Sequence, residues 1–210
     1  MSLRVGVLVS GEGTNLQAIL DSVHGSDGIE VVAVASSRAE ARGLERARAA
    51  GVETAVFDAR DHPGQDGRDL AMTEWLEERG VQLVVLAGFM ELLTPAFVRA
   101  FARRILNVHP SLLPAFPGLR ALEQAIDYGA RVAGVTVHFV DEGVDTGPIV
   151  LQESFELPYA AEIAEVEHTA HAVEHDLLPR AIRLFAAGAL SPDPDNPRRI
   201  RVREGADVGH

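Results

Sequence analysis

The sequence contains no cysteine. Disulfides and thiolate chemistry, nucleophilic or metal-binding, are therefore excluded. No apolar run approaches the roughly 20 residues a helix needs to span a bilayer. The opening "MSLRVGVLVSG" enters a strand-like run directly, without the basic segment and cleavage site of a secretory leader. These absences predict no membrane partner and a cytoplasmic location. A basic excess is also missing. The formal net charge is −12, and a general nucleic-acid binder needs basic surface to displace counterions. Nucleic acid is not an expected partner, although backbone N–H groups can still hold a small anion. There is no internal repeat.

The 210 residues are 47% apolar, enough for one domain with a full core. Buried strands are predicted at 3–10, 29–37 and 82–90, with shorter ones at "ETAVFD" and "RILNVH". Helical spacing lies between them, as in "LQAILDSV", "AEARGLERARAAG" and "LAMTEWLEERG". The stretch "DHPGQDGRD" is expected to be a loop. Strands alternating with helices predict an α/β fold: a doubly wound, mostly parallel, Rossmann-like sheet. After residue 120 the pattern changes. "AGVTVHFV" and "GPIVLQESFEL" flank a short turn and predict an antiparallel C-terminal addition. Residues 161–187 read as a helix that Pro179 should kink or divide. One domain is expected over 1–190, followed by a loosely packed tail, 191–210, with a strand at "RIRV".

Five stretches carry chemistry. "SGEGTN" (10–15) joins a buried strand to a helix start, where Gly11 and Gly13 permit close backbone approach. Helix N-termini there hold phosphate. Leu16 stands where a dinucleotide fingerprint has its third glycine, which favours a mononucleotide-sized phosphate over a pyrophosphate. A plain tight turn is the alternative. Arg38 after the second strand could read a 2′-phosphate in a reductase, or simply face solvent. "HAVEH" (171–175) spells a zinc-protease motif, but the same letters suit the polar face of a helix, and no metal is expected. Asn107 and His109 are two apart on a strand and so point the same way, at the carboxyl end where this architecture binds ligands. Asp145 lies in the glycine-flanked "DEGVDTGP". A carboxylate beside His109 would favour its imidazolium form, although turn chemistry alone explains an Asp there.

Taken together, "SGEGTNLQAI", "VVLAGFM", "RRILNVHPSLLPAFPGL", "TVHFVDEGVDTGPI" and "VEHDLLP" resemble the phosphoribosylglycinamide formyltransferase family, from about Val5 to Leu190. The resemblance implies a folate-dependent enzyme of purine biosynthesis. It would transfer a formyl group from 10-formyltetrahydrofolate to the amine of glycinamide ribonucleotide, without a metal, as a monomer or homodimer. It implies catalytic roles for Asn107, His109 and Asp145, with the first two stabilising a tetrahedral intermediate. Ribonucleotide contacts fall to Gly13, Thr14, Asn15 and Glu174. Folate contacts fall to Met90, Glu91, Leu92, Leu93, Asn107, Asp141, Glu142, Gly143 and Val144. Two positions depart from the family's pattern: Glu91 replaces an Arg, and the loop whose Arg approaches folate has Gln65, with Arg68 nearby. The alternatives are a catalytically degenerate folate- or nucleotide-binding member and another enzyme using 10-formyltetrahydrofolate.

Overall fold

The computed structural model describes residues 2–160 and 162–203, in two compact units divided after Asn107. In the first, β1 (Leu3–Val9), β2 (Ile29–Ser36), β3 (Glu53–Val56) and β4 (Leu83–Leu86) alternate with α1 (Thr14–Ser22), α2 (Arg42–Ala49), α3 (Gly64–Glu78) and α4 (Pro95–Ala100), and β5 (Ile105–His109) begins in it and ends in the second. The pairs β1–β2, β1–β4, β2–β3 and β4–β5 are all parallel. A parallel strand covered on both faces must be apolar throughout. Val5, Val7, Leu8, Val9, Leu83, Val84 and Val85 meet that demand and are fully buried.

The second unit holds α5 (Ala121–Tyr128), β6 (Val132–Phe139), β7 (Ile149–Glu156), α6 (Ile163–Ala186), β8 (Leu190–Pro192) and β9 (Ile200–Val202). β6 and β7 pair antiparallel, as the alternating pattern predicts. Strand order is β3-β2-β1-β4-β5 for the parallel strands, with β7 beside β6 in the second unit, and β8 pairs antiparallel with β9. The mostly parallel α/β class is therefore the one expected. The strand expected at "RIRV" is β9. Ala161 and tail residues 204–210 lie outside the described residues.

Two expectations need correction. "DHPGQDGRD" is not all loop: a 3-10 turn covers Ala59–Asp61, and α3 already begins at Gly64. Its polar Arg68 and Asp69 face inward as a buried ion pair, 2.7 Å apart, which conceals the helix from a hydrophobicity pattern. Nor does Pro179 divide α6, which runs unbroken from Ile163 to Ala186. Proline costs a helix interior about 3 kcal/mol. Around it Leu177, Leu178, Ala181 and Ile182 are buried, and a buried Leu or Ile contributes about 1.5–3 kcal/mol. Packing outweighs the lost hydrogen bond.

Candidate functional site

The sheet order reverses between β1 and β4, and α/β sheets bind ligands outside the carboxyl ends of strands at such a reversal. Two loops leave there. Ser10 N–H donates to Gly88 O at 3.2 Å, and Met90 N–H donates to Ser10 Oγ at 3.0 Å, so the loops touch. In the first, Gly13 has φ 71°, and a Cβ there would sit 2.6 Å from Gly43 Cα. Only glycine fits. Next, α1 opens with no side chain capping it, and first-turn N–H groups lie outside a helix's own ladder. Arg46 holds the loop from behind, its Nε donating to Glu12 O at 2.9 Å. Thr14 is half-buried and Asn15 buried. Leu16, where a third glycine would stand, is fully buried. Arg38 is exposed, as a solvent-facing loop residue is.

The second loop presents apolar side chains outward: Met90 is 63% exposed and Leu92 67%. Leu93 is half-buried and Glu91 exposed. Packing within the chain does not favour holding two large apolar groups in water, so the loop offers an apolar contact surface.

At the end of β5, Asn107 is half-buried and His109 buried. In the second unit His109 meets Asp145, Nδ1 to Oδ2 3.4 Å. Asp145 adopts φ 52°, uncommon for a residue with a side chain. Three groups converge on its carboxylate. Gly118 N–H donates to Oδ2 at 2.8 Å, His109 faces the same oxygen, and His138 Nε2 lies 3.6 Å from Oδ1. Burial pushes the Asp145 carboxyl up. The hydrogen bonds from His138 and Gly118 and the charges of the two imidazoles outweigh that and hold it below the ordinary carboxylate value.

The tautomers follow from the remaining ring nitrogens. His109 Nε2 is 2.9 Å from Phe116 O, and His138 Nδ1 is 2.9 Å from Phe139 O. A carbonyl only accepts, so each of those nitrogens carries a proton. The other nitrogen of each ring faces Asp145, so a second proton on either ring makes an imidazolium–carboxylate contact there.

The proline-rich stretch that supplies Phe116 O and Gly118 N–H is fastened from β6 and β7. Thr136 Oγ1 donates to Ser111 O at 2.6 Å and accepts from Leu113 N–H at 3.1 Å. Gln152 Nε2 donates to Leu113 O and to Thr136 Oγ1, both at 2.9 Å. In the 141–145 loop, Asp141 is half-buried and accepts from Gly143 N–H at 3.1 Å and Thr146 Oγ1 at 2.6 Å. Glu142, Gly143 and Val144 are exposed.

Residues 3–182 match the family described as "Formyl transferase". The phosphoribosylglycinamide formyltransferase of Haemophilus influenzae is 42% identical over 188 residues, covering 89% of each chain. The chain belongs to this formyltransferase family. It is an enzyme family, as the sequence implied. The "Trifunctional purine biosynthetic protein adenosine-3" of Drosophila pseudoobscura pseudoobscura is 43% identical over 190 residues. The match takes in 89% of this chain but spans only 14% of that relative's length. Among solved structures, glycinamide ribonucleotide transformylase 1 from Symbiobacterium toebii superposes with TM-score 0.92 at 48% identity, covering 97% of this chain and 95% of that one.

Of the formyltransferase residues expected from sequence, His109 and Asp145 are brought together. Gly13, Thr14 and Asn15 form the start of α1. Glu174 is buried on α6. The neighbouring "HAVEH" histidines stack, ring centroids 6.2 Å apart, with His175 Nε2 buried. Among the described residues, no group of three or more His, Asp or Glu side chains is arranged to hold a metal. His138 escaped the sequence reading. Its signal was there: Thr136 and His138 are the only polar side chains in "VAGVTVHF", two apart and on one face. Polar groups on a buried strand have partners to satisfy.

Proposed function

We infer that the chain transfers the formyl group of 10-formyltetrahydrofolate to the primary amine of glycinamide ribonucleotide. The observation that carries this reading is the Asp145 carboxylate set between His109 and His138, with Asn107 two residues before His109 on the same strand. The substrate's phosphate would sit at the N-terminus of α1, where the loop through Gly13 leaves backbone N–H groups unopposed by a side-chain cap. The apolar part of the folate would cover Met90 and Leu92.

In the reaction the amine nitrogen attacks the formyl carbon. A C–N bond forms, and the carbonyl oxygen takes up negative charge. Asn107 donates a hydrogen bond to that oxygen. His109 donates its Nε2–H, held by Phe116 O before substrate arrives; an oxyanion is the stronger acceptor. The intermediate collapses with cleavage of the bond to the folate N10. His109, as the imidazolium, gives its proton to N10, and the proton shed by the amine nitrogen is taken up by the His109 ring, which returns it to its starting state. Asp145 keeps charge compensation at the ring, and His138 holds Asp145 in place. Preorganised donors of this kind are worth more in a buried site than in water.

The test is a two-substrate assay following release of tetrahydrofolate by absorbance, with formylated ribonucleotide identified by mass. Turnover that saturates in both substrates supports the reading. Binding of both without product would instead favour a catalytically degenerate member.

A further inference from the structure

Arg68 and Asp69 are the most buried charged residues of the first unit, 2% and 1% exposed. Arg68 Nε and Nη2 both contact Asp69 Oδ1, at 2.8 and 2.7 Å. Taking such a pair out of water often returns no net stability. Its other contacts show where its effect lies. Arg68 Nη2 donates to Leu92 O at 3.0 Å, and Nη1 lies 3.5 Å from Glu91 Oε2. Asp69 Oδ2 accepts from Thr94 N–H at 2.6 Å. One turn earlier on α3, Gln65 Nε2 donates to the same Leu92 O at 2.6 Å. One face of α3 thus grips residues 91, 92 and 94. The loop so gripped has no ladder hydrogen bonds of its own and keeps Met90 and Leu92 exposed. Folding either inward would be favoured by about 1.5–3 kcal/mol of apolar burial, so something must hold them out.

We propose that Arg68 is a positioning residue for formylfolate: its buried guanidinium holds the 90–92 loop in the conformation that turns Met90 and Leu92 toward the ligand. The proposal rests on the reading that this loop contacts folate. Glu91 is its outer counter-ion, half-exposed at 41%. The planar guanidinium reaches Asp69 and Leu92 O from one side and Glu91 from another nitrogen, a spread that the single nitrogen of an ammonium does not reproduce.

The test compares Arg68→Lys and Gln65→Ala with the unaltered chain. Lysine keeps a charge beside Asp69, which protects folding; Gln65 is exposed, so its loss leaves the core intact. Two readouts are taken: steady-state kinetics with each substrate, and amide hydrogen exchange of peptides covering 88–94 and 70–78. The expectation for Arg68→Lys is a KM for 10-formyltetrahydrofolate raised about tenfold, the loss of one hydrogen bond to a charged group. kcat and the KM for the ribonucleotide stay within twofold, and exchange quickens in 88–94 but not in 70–78. Gln65→Ala moves the same two readouts by a smaller factor. An unchanged folate KM, unchanged exchange in 88–94, or an equal fall in kcat overturns the proposal. If the unaltered chain shows no saturable dependence on formylfolate, the underlying reading fails and the proposal with it. The exchange data then still report whether Arg68 orders the loop.

Discussion

Replacing Thr136 with valine removes one hydroxyl from inside the second unit and changes little in volume. Thr136 is fully buried. Its Oγ1 makes three hydrogen bonds: to Ser111 O, from Leu113 N–H and from Gln152 Nε2. Gln152 keeps a partner in Leu113 O after the change. Ser111 C=O and Leu113 N–H each lose theirs, and such a loss costs about 1–3 kcal/mol per buried group. The added methyl returns at most about 0.8 kcal/mol. The expected loss is therefore about 1–5 kcal/mol, a large share of the 5–15 kcal/mol that holds a typical domain. Thr136→Ser keeps the hydroxyl and gives up one methyl, at about 1 kcal/mol. Equilibrium urea unfolding of the three proteins, with equal slopes, measures both values. Valine within about 0.5 kcal/mol of the parent, or serine costlier than valine, would refute the reasoning. Activity should fall as well, because Ser111 and Leu113 lead into the segment that offers Phe116 O to His109 and Gly118 N–H to Asp145.

His109→Ala should lower kcat by about a hundredfold or more, the usual cost of one oxyanion donor, while ribonucleotide binding measured by calorimetry persists; near-normal turnover would remove His109 from the mechanism. His138→Leu should reduce kcat and reshape its pH profile, because Asp145 loses a partner, whereas His138→Gln, which keeps an N–H donor, should recover part of the rate. Equal effects of Leu and Gln would show that His138 only fills space. His175 has its pKa lowered by burial and by the charge of His171. The fold therefore favours the neutral ring. That contribution is intact above the ordinary value of 6.5 and is lost as pH falls through the lowered folded value. Thermal melts from pH 7.5 to 5 should show a steeper decline for the parent than for His175→Phe, and parallel declines would refute this.

The sequence by itself determined the α/β class. Short continuous apolar runs rich in β-branched residues, such as "LVVL" just after the helix that ends near Gly80, read as buried parallel strands when they alternate with helices, and that signal is local. It also placed Asn107 and His109 on one face at a strand end, because strand geometry has a period of two. The Gly13 turn was legible for the same reason, since backbone freedom is a property of the residue itself. Tertiary structure alone decided the rest. Asp145 reads as an ordinary turn residue until the fold sets it against His109, and His138 reads as a strand residue until its Nε2 meets that same carboxylate. Arg68 and Asp69 resemble loop letters until burial makes them a pair gripping Glu91, Leu92 and Thr94. Pro179 is tolerated because its neighbours' packing exceeds its cost. Patterns of period two or 3.6 record how a segment meets the core. They carry no information on which distant charge or carbonyl will face a given side chain, and that pairing is what creates the chemistry.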